Sequence, residues 1–166
     1  RSLPWPDGLK RTMRKLVWAA RQLQPKKVRI EGFLTFALGC AKLVRYHHGE
    51  ASLYGTLVGL AQAHPGTNNI NVFACEAQMG SRGAPANEFA APRYMSTGIE
   101  PILAALFRKE DDPILTYCVE DGKAVVEPVL FYPVIPLDLI NGCVGIGTGW
   151  NSEVPAFHPL DVARVF

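Results

Sequence analysis

Apolar residues recur at intervals of three or four through most of the first half of the chain. The stretch from Asp7 to Gln24 shows this spacing, and five basic side chains lie among its other positions, so it predicts an amphipathic basic helix that Pro25 ends. Its apolar positions are Leu9, Met13, Leu16, Val17 and Ala20. A second, mostly apolar helix is predicted near Phe33 to Leu43, and a third from Glu50 to His64. Three helices, the early ones basic, suggest a helix-turn-helix.

The second half of the chain mixes short strands with turns. Residues Asn69 to Phe73 alternate apolar and polar side chains, which predicts a half-buried strand, and Lys123 to Val129 is a second predicted strand. Between them lie an irregular surface loop from Gln78 to Pro92, a helix from about Thr97 to Phe107, and an acidic turn from Lys109 to Pro113. Helices followed by strands with a hairpin-like return predict an α+β fold, specifically a winged-helix unit.

Length and composition limit the class of protein. The chain has 166 residues, 48% of them hydrophobic, which is enough for one globular domain with a sizeable core. Its apolar runs, such as Gly32 to Ala41, are too short to cross a bilayer, so no membrane partner is expected. The four cysteines form no C-x-x-C pair, which argues against a zinc site and a disulfide framework and favours a reducing compartment. Because the first residue is Arg rather than Met, we expect a piece of a longer protein.

Charge is distributed unevenly behind a formal net charge of +2. Residues 1–48 contain eleven Lys and Arg against two acidic residues, Asp7 and Glu31, whereas the remainder contains six against thirteen. A basic third on a nearly neutral chain is typical of a surface that meets phosphate backbones. The same charges are also compatible with an ordinary solvated face, so charge alone leaves both interpretations open.

Two further sequence features are weak candidates for ligand sites. The stretch from Asn141 to Trp150 is rich in glycine, but it lacks both the Gly-Lys-Ser/Thr of a Walker loop and the Gly-x-Gly-x-x-Gly of a dinucleotide fingerprint. A tight turn that presents Ile146 is the better interpretation. The adjacent His47 and His48 would diverge by about 100° on a helix, so they cannot easily hold one metal ion, and no metal site is predicted.

The pair Arg93-Tyr94 follows the irregular loop and suggests covalent chemistry. A phenol leaves phosphorus far more readily than an aliphatic hydroxyl, so a phosphotyrosyl bond can be reversed. An adjacent arginine offers a bidentate donor for the charge that accumulates on phosphate oxygens in the transition state. An Arg-Tyr pair is more often structural than catalytic, and these two residues by themselves do not decide between the roles.

Eight motifs occur in a fixed order along nearly the whole chain. They are Arg1-Ser-Leu-Pro4 with Asp7-Gly-Leu-Lys10 and Arg14-Lys15; Tyr46-His-His-Gly-Glu-Ala-Ser-Leu53; Gly59-Leu-Ala-Gln62; Asn68-Asn-Ile70; Gly80-Ser-Arg82; Ala91-Pro-Arg-Tyr94; Asp111-Asp-Pro113; and Asn141-Gly142 with Gly145-Ile-Gly-Thr-Gly-Trp150. In this order, the chain resembles the DNA cleavage core of type IIA DNA topoisomerases, in the form found in eukaryotes and large DNA viruses. The His-His-Gly-Glu form, in place of the bacterial His-Pro-His-Gly-Asp, makes bacterial gyrase the poorer match.

The resemblance implies roles for individual residues. Tyr94 would be the nucleophile that attacks a DNA phosphodiester, leaving a 5′-phosphotyrosyl bond and a free 3′-hydroxyl. Arg93, Arg14 and His48 would hold the scissile phosphate and stabilise its charge. Ile146 would wedge between base pairs and bend the DNA. The other expected DNA contacts are Lys10, Lys15, His47 and Arg82.

The resemblance also implies the organisation of the chain and its partners. Residues 1–133 would form a winged-helix domain that carries the nucleophile, and residues 134–166 would begin a mixed α/β tower domain. The toprim domain that binds Mg²⁺ and the ATPase domain that binds ATP would lie elsewhere in the same parent chain, so this chain alone should cleave DNA poorly. The other partners would be double-stranded DNA and a second copy of the full-length protein, in the nucleus of a eukaryote or the replication compartment of a virus.

The chain departs from the family pattern just before the expected nucleophile. Members usually carry Gly-Gly-Lys-Asp-Ala there, whereas residues 83–90 have Asn87 in place of the positive charge, and residues 28–44 also differ. The leading hypothesis is an ATP-dependent type II topoisomerase core that cuts DNA through Tyr94. The alternative hypothesis is a non-catalytic winged-helix DNA-binding module in which Tyr94 is structural.

Overall fold

Three helices from the first half of the chain pack against one another at the centre of the protein. The structure, a computed structural model, describes residues 5–23, 31–44, 46, 49–84, 88–120, 122 and 124–166. The three helices are α1 (Arg11–Leu23), α2 (Phe33–Leu43) and α3 (Glu50–Ala61), and each contacts the other two. The bounds of α2 are those predicted. Helix α1 begins four residues later than predicted, because the Asp7 carboxylate accepts a hydrogen bond from the N–H of Leu9 at 2.9 Å and holds this segment outside the helix.

Short antiparallel strand pairs and short helices account for the rest of the described chain. The strand pairs are β1 (Glu31–Gly32) with β2 (Ser96–Thr97), β3 (Tyr117–Glu120) with β4 (Ala124–Pro128), and β5 (Cys143–Ile146) with β6 (Asn151–Val154). The short α-helices are α4 (Ile102–Leu106), α5 (Leu137–Asn141) and α6 (Pro159–Val165), and two 3-10 helices cover Pro92–Tyr94 and Lys109–Ile114. The fold is therefore mixed α+β, as the sequence predicts, and the predicted strand Lys123 to Val129 is confirmed as β4.

The hydrophobic core joins α1–α3 to the segment that follows α3. Leu16 of α1 and Phe73 are fully buried, and the Phe73 ring packs edge-on against Phe36 of α2, with 5.5 Å between the ring centroids. Burial of one such side chain contributes about 1.5–3 kcal/mol relative to its exposure to water. The segment after α3 is therefore anchored to the helices, although it is not a regular element itself. No helix in the described part of the chain is long and apolar enough to span a membrane.

Basic side chains of α1 pair with acidic residues in the interior. The pairs are Arg14 with Asp7, Lys15 with Glu127 of β4, and Arg21 with Asp112, with nitrogen–oxygen distances of 2.8, 2.8 and 2.6 Å. These side chains are therefore held in ion pairs within the protein rather than on an ordinary solvated basic face. Part of the uneven charge of the sequence is therefore neutralised inside the protein, because Lys15 and Arg21 form ion pairs with acidic residues from the second part of the chain.

Glu127 lies at the centre of one of these charge clusters. Burial by itself raises the pKa of the Glu127 carboxyl, but hydrogen bonds from Lys15, from the backbone and from Arg11 outweigh it and hold the pKa below its usual value. The carboxylate therefore stays ionised between two cations, and β4 is fixed to α1 by charge as well as by packing.

The predicted strand at Asn69–Phe73 does not form. The Asn69 side chain instead donates hydrogen bonds to the carbonyl oxygens of Ile140 and Phe157, at 2.8 and 3.0 Å. Strand character is reduced to one β-bridge between Phe73 and Ile99. Asparagine side chains that bond to backbone groups compete with the hydrogen bonds between strands. The alternating apolar and polar residues here therefore reflect packing against α5 and the segment after β6 rather than a strand.

The predicted helix from Thr97 to Phe107 is present only as α4. Thr97 belongs to β2, and its hydroxyl donates to the carbonyl of Ala74 at 2.8 Å, so the helix starts after Pro101. The predicted acidic turn is the second 3-10 helix. The loop from Gln78 to Pro92 contains no helix or strand in its described residues before the turn at Pro92, as predicted.

Substitution of Asp138 by Asn is expected to stabilise the protein more at pH 7 than at pH 4. Burial raises the pKa of the Asp138 carboxyl, N–H groups of Leu139 and Asp138 itself act in the opposite direction, and the charge of Asp7 adds to the rise; Oδ1 is buried without a hydrogen-bond partner. A raised pKa in the folded chain gives stability that is present below the ordinary value of 3.8 and is lost as pH rises through the folded value. Urea unfolding of the Asp138→Asn and wild-type chains across this range measures the difference, and an equal difference at both pH values would contradict this reasoning.

Candidate functional site

Tyr94 ends the first 3-10 helix and presents its phenol to solvent. The side chain is 70% exposed. Its backbone N–H donates to the carbonyl of Ala91 at 2.9 Å, and Pro92 fixes the start of the turn. On the far side, the carbonyl of the buried Met95 accepts a hydrogen bond from the N–H of Phe33 at 3.1 Å, which ties the turn to α2. An exposed side chain on a firmly held backbone is the arrangement that a reactive group requires.

The Arg93 guanidinium lies against the ring of Tyr94. Its central carbon is 4.8 Å from the ring centroid, within the range of a cation–π interaction, and both side chains are exposed. The structure therefore brings together the two residues that the sequence singles out for covalent chemistry. A phosphate that approaches the phenol would meet a cation able to donate two parallel hydrogen bonds.

The loop before Tyr94 is closed at its base. The N–H of Ala90 donates to the carbonyl of Gln78 at 2.8 Å, and the adjacent Met79 is fully buried. Arg82 lies within the closed loop and is exposed, and its expected contact with DNA stays a prediction. Asn87, at which the chain departs from the family pattern, lies outside the described residues.

Arg14 is held in the interior rather than displayed beside Tyr94. Its Nε and Nη2 donate to the fully buried Asp7 at 2.8 and 3.1 Å, and Nη2 also donates to the carbonyl of Leu9 at 2.7 Å. About a tenth of its side-chain surface, 11%, remains exposed. The structure thus shows Arg14 in a structural role. Its role at the phosphate stays a prediction, and only the exposed tenth of the side chain could make that contact.

Lys15 and Lys10, two of the residues expected to contact DNA, differ in their exposure to solvent. The Lys15 ammonium donates to Glu127 at 2.8 Å and to the carbonyl of Val44 at 3.0 Å, and it is buried. A contact of Lys15 with phosphate would require this buried pair to break, so the structure does not favour the contact and it stays a prediction. Lys10, in contrast, is exposed and can reach an anion. His47 and His48 lie outside the described residues, so their predicted roles stay untested.

The glycine-rich stretch forms the hairpin β5–β6, and its turn presents Ile146. The N–H of Gly147 donates to the carbonyl of Trp150 at 2.9 Å, which closes a two-residue turn of Thr148 and Gly149. Gly149 has a φ of +79°, a conformation that favours glycine. Ile146 pairs with Asn151 and is 68% exposed, so the turn that the sequence predicts is confirmed.

Trp150 is a prominent exposed residue that the sequence did not single out. Its indole lies across Gly147, where an added Cβ would come within 3.0 Å of the ring, yet the side chain is 69% exposed. Since Trp150 pairs with Gly147 across the turn, its ring lies on the face opposite Ile146. An aromatic ring over a cross-strand glycine stiffens a hairpin tip. The glycines before Trp150 are the sequence feature that could have indicated a ring packed over the hairpin backbone.

The described residues offer no ligand set for Mg²⁺ or for a nucleotide phosphate. No group of three or more His, Cys, Asp or Glu in the described part of the chain could hold a metal ion. The glycine-rich stretch is a closed hairpin turn rather than a loop that opens a helix.

Comparison with known proteins identifies the family. A sequence profile for the A-type subunits of DNA gyrase and topoisomerase IV matches residues 1–166. The chain belongs to this family. It is 42% identical over 161 residues to DNA topoisomerase 2 of Trypanosoma brucei brucei and 37% identical over 164 residues to DNA topoisomerase 2 of Arabidopsis thaliana.

The alignments cover nearly all of this chain and a small part of each relative. They include 95% and 98% of the chain but only 13% and 11% of the Trypanosoma and Arabidopsis proteins. The chain is also similar to the crystal structure of the Plasmodium falciparum topoisomerase II DNA-binding, cleavage and re-ligation domain, with 36% identity and a TM-score of 0.89. That match covers 99% of this chain and 22% of the Plasmodium chain. The mixed α+β arrangement described above is thus the fold of this family member.

Proposed function

We propose that this chain is the part of a type II DNA topoisomerase core that binds double-stranded DNA and cuts it through Tyr94. The observation that carries the proposal is the exposed Tyr94 phenol on a backbone turn fixed on both sides, with the Arg93 guanidinium against its ring. Membership of the family and the name DNA topoisomerase 2 of the relatives support the same function.

The proposed reaction exchanges one phosphate ester for another. The phenolic oxygen of Tyr94 attacks the phosphorus of a DNA phosphodiester and gives up its proton to solvent, while the bond from phosphorus to the 3′-oxygen breaks and that oxygen takes up a proton. The 5′ end stays attached to Tyr94, and the reverse reaction reseals the strand. Arg93 leaves the ring and donates to the phosphate oxygens as their charge increases. Arg82 and Lys10 hold the DNA backbone nearby.

The domain assignment belongs to the proposal. We assign residues 1–133 to a winged-helix domain, in which α1–α3 form the helical part and the β3–β4 hairpin, packed on α1, is the wing. We assign residues 134–166, with α5, the β5–β6 hairpin and α6, to the start of a tower domain. Ile146 at the exposed hairpin tip wedges between base pairs in this arrangement.

The partners and cofactors follow from the same proposal. A second copy of the full-length protein cuts the other strand, and toprim and ATPase domains of the parent chain bind Mg²⁺ and ATP. The proposed location is the nucleus of a eukaryote or, for a viral parent, the viral replication compartment.

A trapping experiment tests the nucleophile directly. The chain is mixed with a purified toprim-containing fragment, magnesium and end-labelled nicked DNA, the reaction is stopped with denaturant, and any adduct is mapped by mass spectrometry. A phosphotyrosyl peptide at Tyr94 is expected. If DNA is bound with no adduct while a known topoisomerase core reacts in parallel, the chain is instead a non-catalytic winged-helix DNA-binding module.

Substitution of Ile146 by Ala is expected to reduce DNA bending more than DNA binding. The exposed aliphatic tip is the part of the hairpin able to enter a base step, whereas affinity comes mainly from cations on phosphates. Energy transfer between dyes at the two ends of a short duplex measures the bend, and filter binding measures affinity. Val144→Ala, on the same face but further from the tip, is the matched control. An unchanged bend angle for Ile146→Ala would remove Ile146 from the proposed wedge.

A further inference from the structure

The buried amide of Gln62 reaches the base of the loop that leads to Tyr94. Gln62 follows the last residue of α3 and is buried, and its Nε2 donates to the carbonyl oxygen of Met79 at 2.7 Å. The neighbouring carbonyl, that of Gln78, accepts from the N–H of Ala90 at 2.8 Å. The side-chain contact and the backbone closure of the loop thus lie on consecutive residues.

Gly80 permits the close approach of Gln62 to the loop. Its φ is +94°, and an added Cβ would stand 2.9 Å from Nε2 of Gln62 and 3.2 Å from the ring of His64. Real Cβ atoms are not found at the shorter of these distances, so any other residue at position 80 would push the amide away from Met79. The loop therefore turns sharply at a point where only glycine leaves room for the Gln62 amide.

Only a few residues separate the base of the loop from Tyr94, so the position of the base affects the position of the phenol. Ala90 precedes the turn of Pro92–Tyr94, and the N–H of Tyr94 is bonded within that turn to the carbonyl of Ala91. On the other side, Met95 is fixed to α2. A shift of the base at Met79 would consequently tilt the turn about its fixed far end and move the phenol. A displacement of about 1 Å at a reacting group can cost on the order of a hundredfold in rate.

We propose that Gln62 is a positioning residue for the cleavage reaction: its amide N–H, donated to the Met79 carbonyl, sets the backbone turn that carries Tyr94. The proposal rests on the function proposed above. Gln62 touches neither DNA nor the phenol in this role and acts through the closed base of the loop. Its neighbour Asn68 has a different task, because the Asn68 side chain donates to the carbonyls of Gly59 and Gln62 and closes the end of α3.

The test replaces the amide by groups of similar size that differ in their ability to donate. Gln62→Met has no donor, whereas Gln62→Glu donates to the Met79 carbonyl only when its carboxyl is protonated. Burial raises the pKa of such a carboxyl, so protonation is expected as pH falls from about 8 to about 5. The rate of Tyr94 adduct formation, in the reaction with the toprim fragment described above, is measured for each variant relative to wild type at every pH. DNA affinity is measured alongside.

The expected result separates positioning from folding. Gln62→Met forms the adduct about ten- to a hundredfold more slowly at all pH values with DNA affinity unchanged. Gln62→Glu is equally slow at pH 8 and approaches the wild-type rate as pH falls. Asn68→Ala, which loses the closure of α3, has a lower melting temperature and a wild-type rate. A constant ratio of Gln62→Glu to wild type, or the same loss of rate in Asn68→Ala, would overturn the proposal.

A second readout does not depend on cleavage. Hydrogen exchange at the N–H of Ala90 is expected to be faster in Gln62→Met, and faster in Gln62→Glu at pH 8 but not at pH 5, relative to wild type at the same pH. Unchanged protection of Ala90 in both variants would refute the role of Gln62. If wild type forms no adduct while Ala90 responds as expected, the proposed reaction fails but the link between Gln62 and the loop stands.

Discussion

Replacement of Tyr94 by Phe is expected to abolish formation of the protein–DNA adduct while leaving DNA affinity within about twofold of wild type. The substitution removes one oxygen atom, which is the proposed nucleophile, and the phenyl ring that remains cannot form a bond to phosphorus. The phenol is largely exposed, so its loss leaves packing intact, and the Arg93 guanidinium still has an aromatic ring to lie against. Denaturing gel electrophoresis of end-labelled DNA detects the adduct, and fluorescence anisotropy measures affinity.

Tyr132 provides the matched control for this experiment. It is also an exposed tyrosine, 52% accessible, and lies outside the turn that carries Tyr94. Tyr132→Phe is expected to form the adduct at the wild-type rate. Adduct formation by Tyr94→Phe would remove Tyr94 from the mechanism, whereas loss of DNA binding in that variant would show that the phenol serves recognition rather than chemistry.

Substitution of Asp7 by Ala is expected to lower the free energy of unfolding by at least about 4 kcal/mol, a large part of the stability of a domain of this size. The Asp7 carboxylate is fully buried and accepts hydrogen bonds from the Arg14 side chain and from the N–H groups of Leu9 and Phe131. Its removal leaves a buried cation without its partner, which is more costly than the loss of the pair itself. Urea unfolding followed by circular dichroism measures the change.

Two companion variants distinguish this explanation from a general effect of losing a carboxylate. Asp161→Ala removes an acid from an exposed pair with Arg164 at 3.0 Å and is expected to leave stability nearly unchanged. The double variant Asp7→Ala with Arg14→Met removes both buried charges and is expected to regain part of the loss. A loss in Asp7→Ala no larger than that in Asp161→Ala would contradict the assigned role of the buried pair.

The elements that the sequence predicts correctly are those determined by local patterns. The period of apolar residues places α2 with correct bounds, and the cluster of glycines after Asn141 predicts the turn that exposes Ile146. The candidate site is predictable for the same reason. Arg93 and Tyr94 are adjacent in sequence, and the proline before them fixes the turn on which both are displayed.

The features that the sequence did not reveal are those that depend on distant partners. Lys15 and Glu127 are 112 positions apart, and no local pattern indicates that this lysine is buried against a carboxylate. Apolar and polar residues alternate at Asn69–Phe73 with the period of a strand. The Asn69 side-chain amide, however, donates hydrogen bonds to carbonyl groups 71 and 88 positions away. Such pairings are decided by how the elements pack, which periodicity and composition do not encode.

The long-range pairing of α1 affects how the chain must be made. A ribosome adds about 5–20 residues per second, so the 112 positions that separate Lys15 from Glu127 correspond to a wait of about 6–22 s during translation. During that interval the nascent chain has an amphipathic helical segment rich in cations, and two of its neutralising acids, Asp112 and Glu127, are synthesised only near its end. The ion pair that joins α1 to β4 therefore cannot form until Glu127 has been synthesised, and until then the charge of Lys15 is not neutralised by that carboxylate.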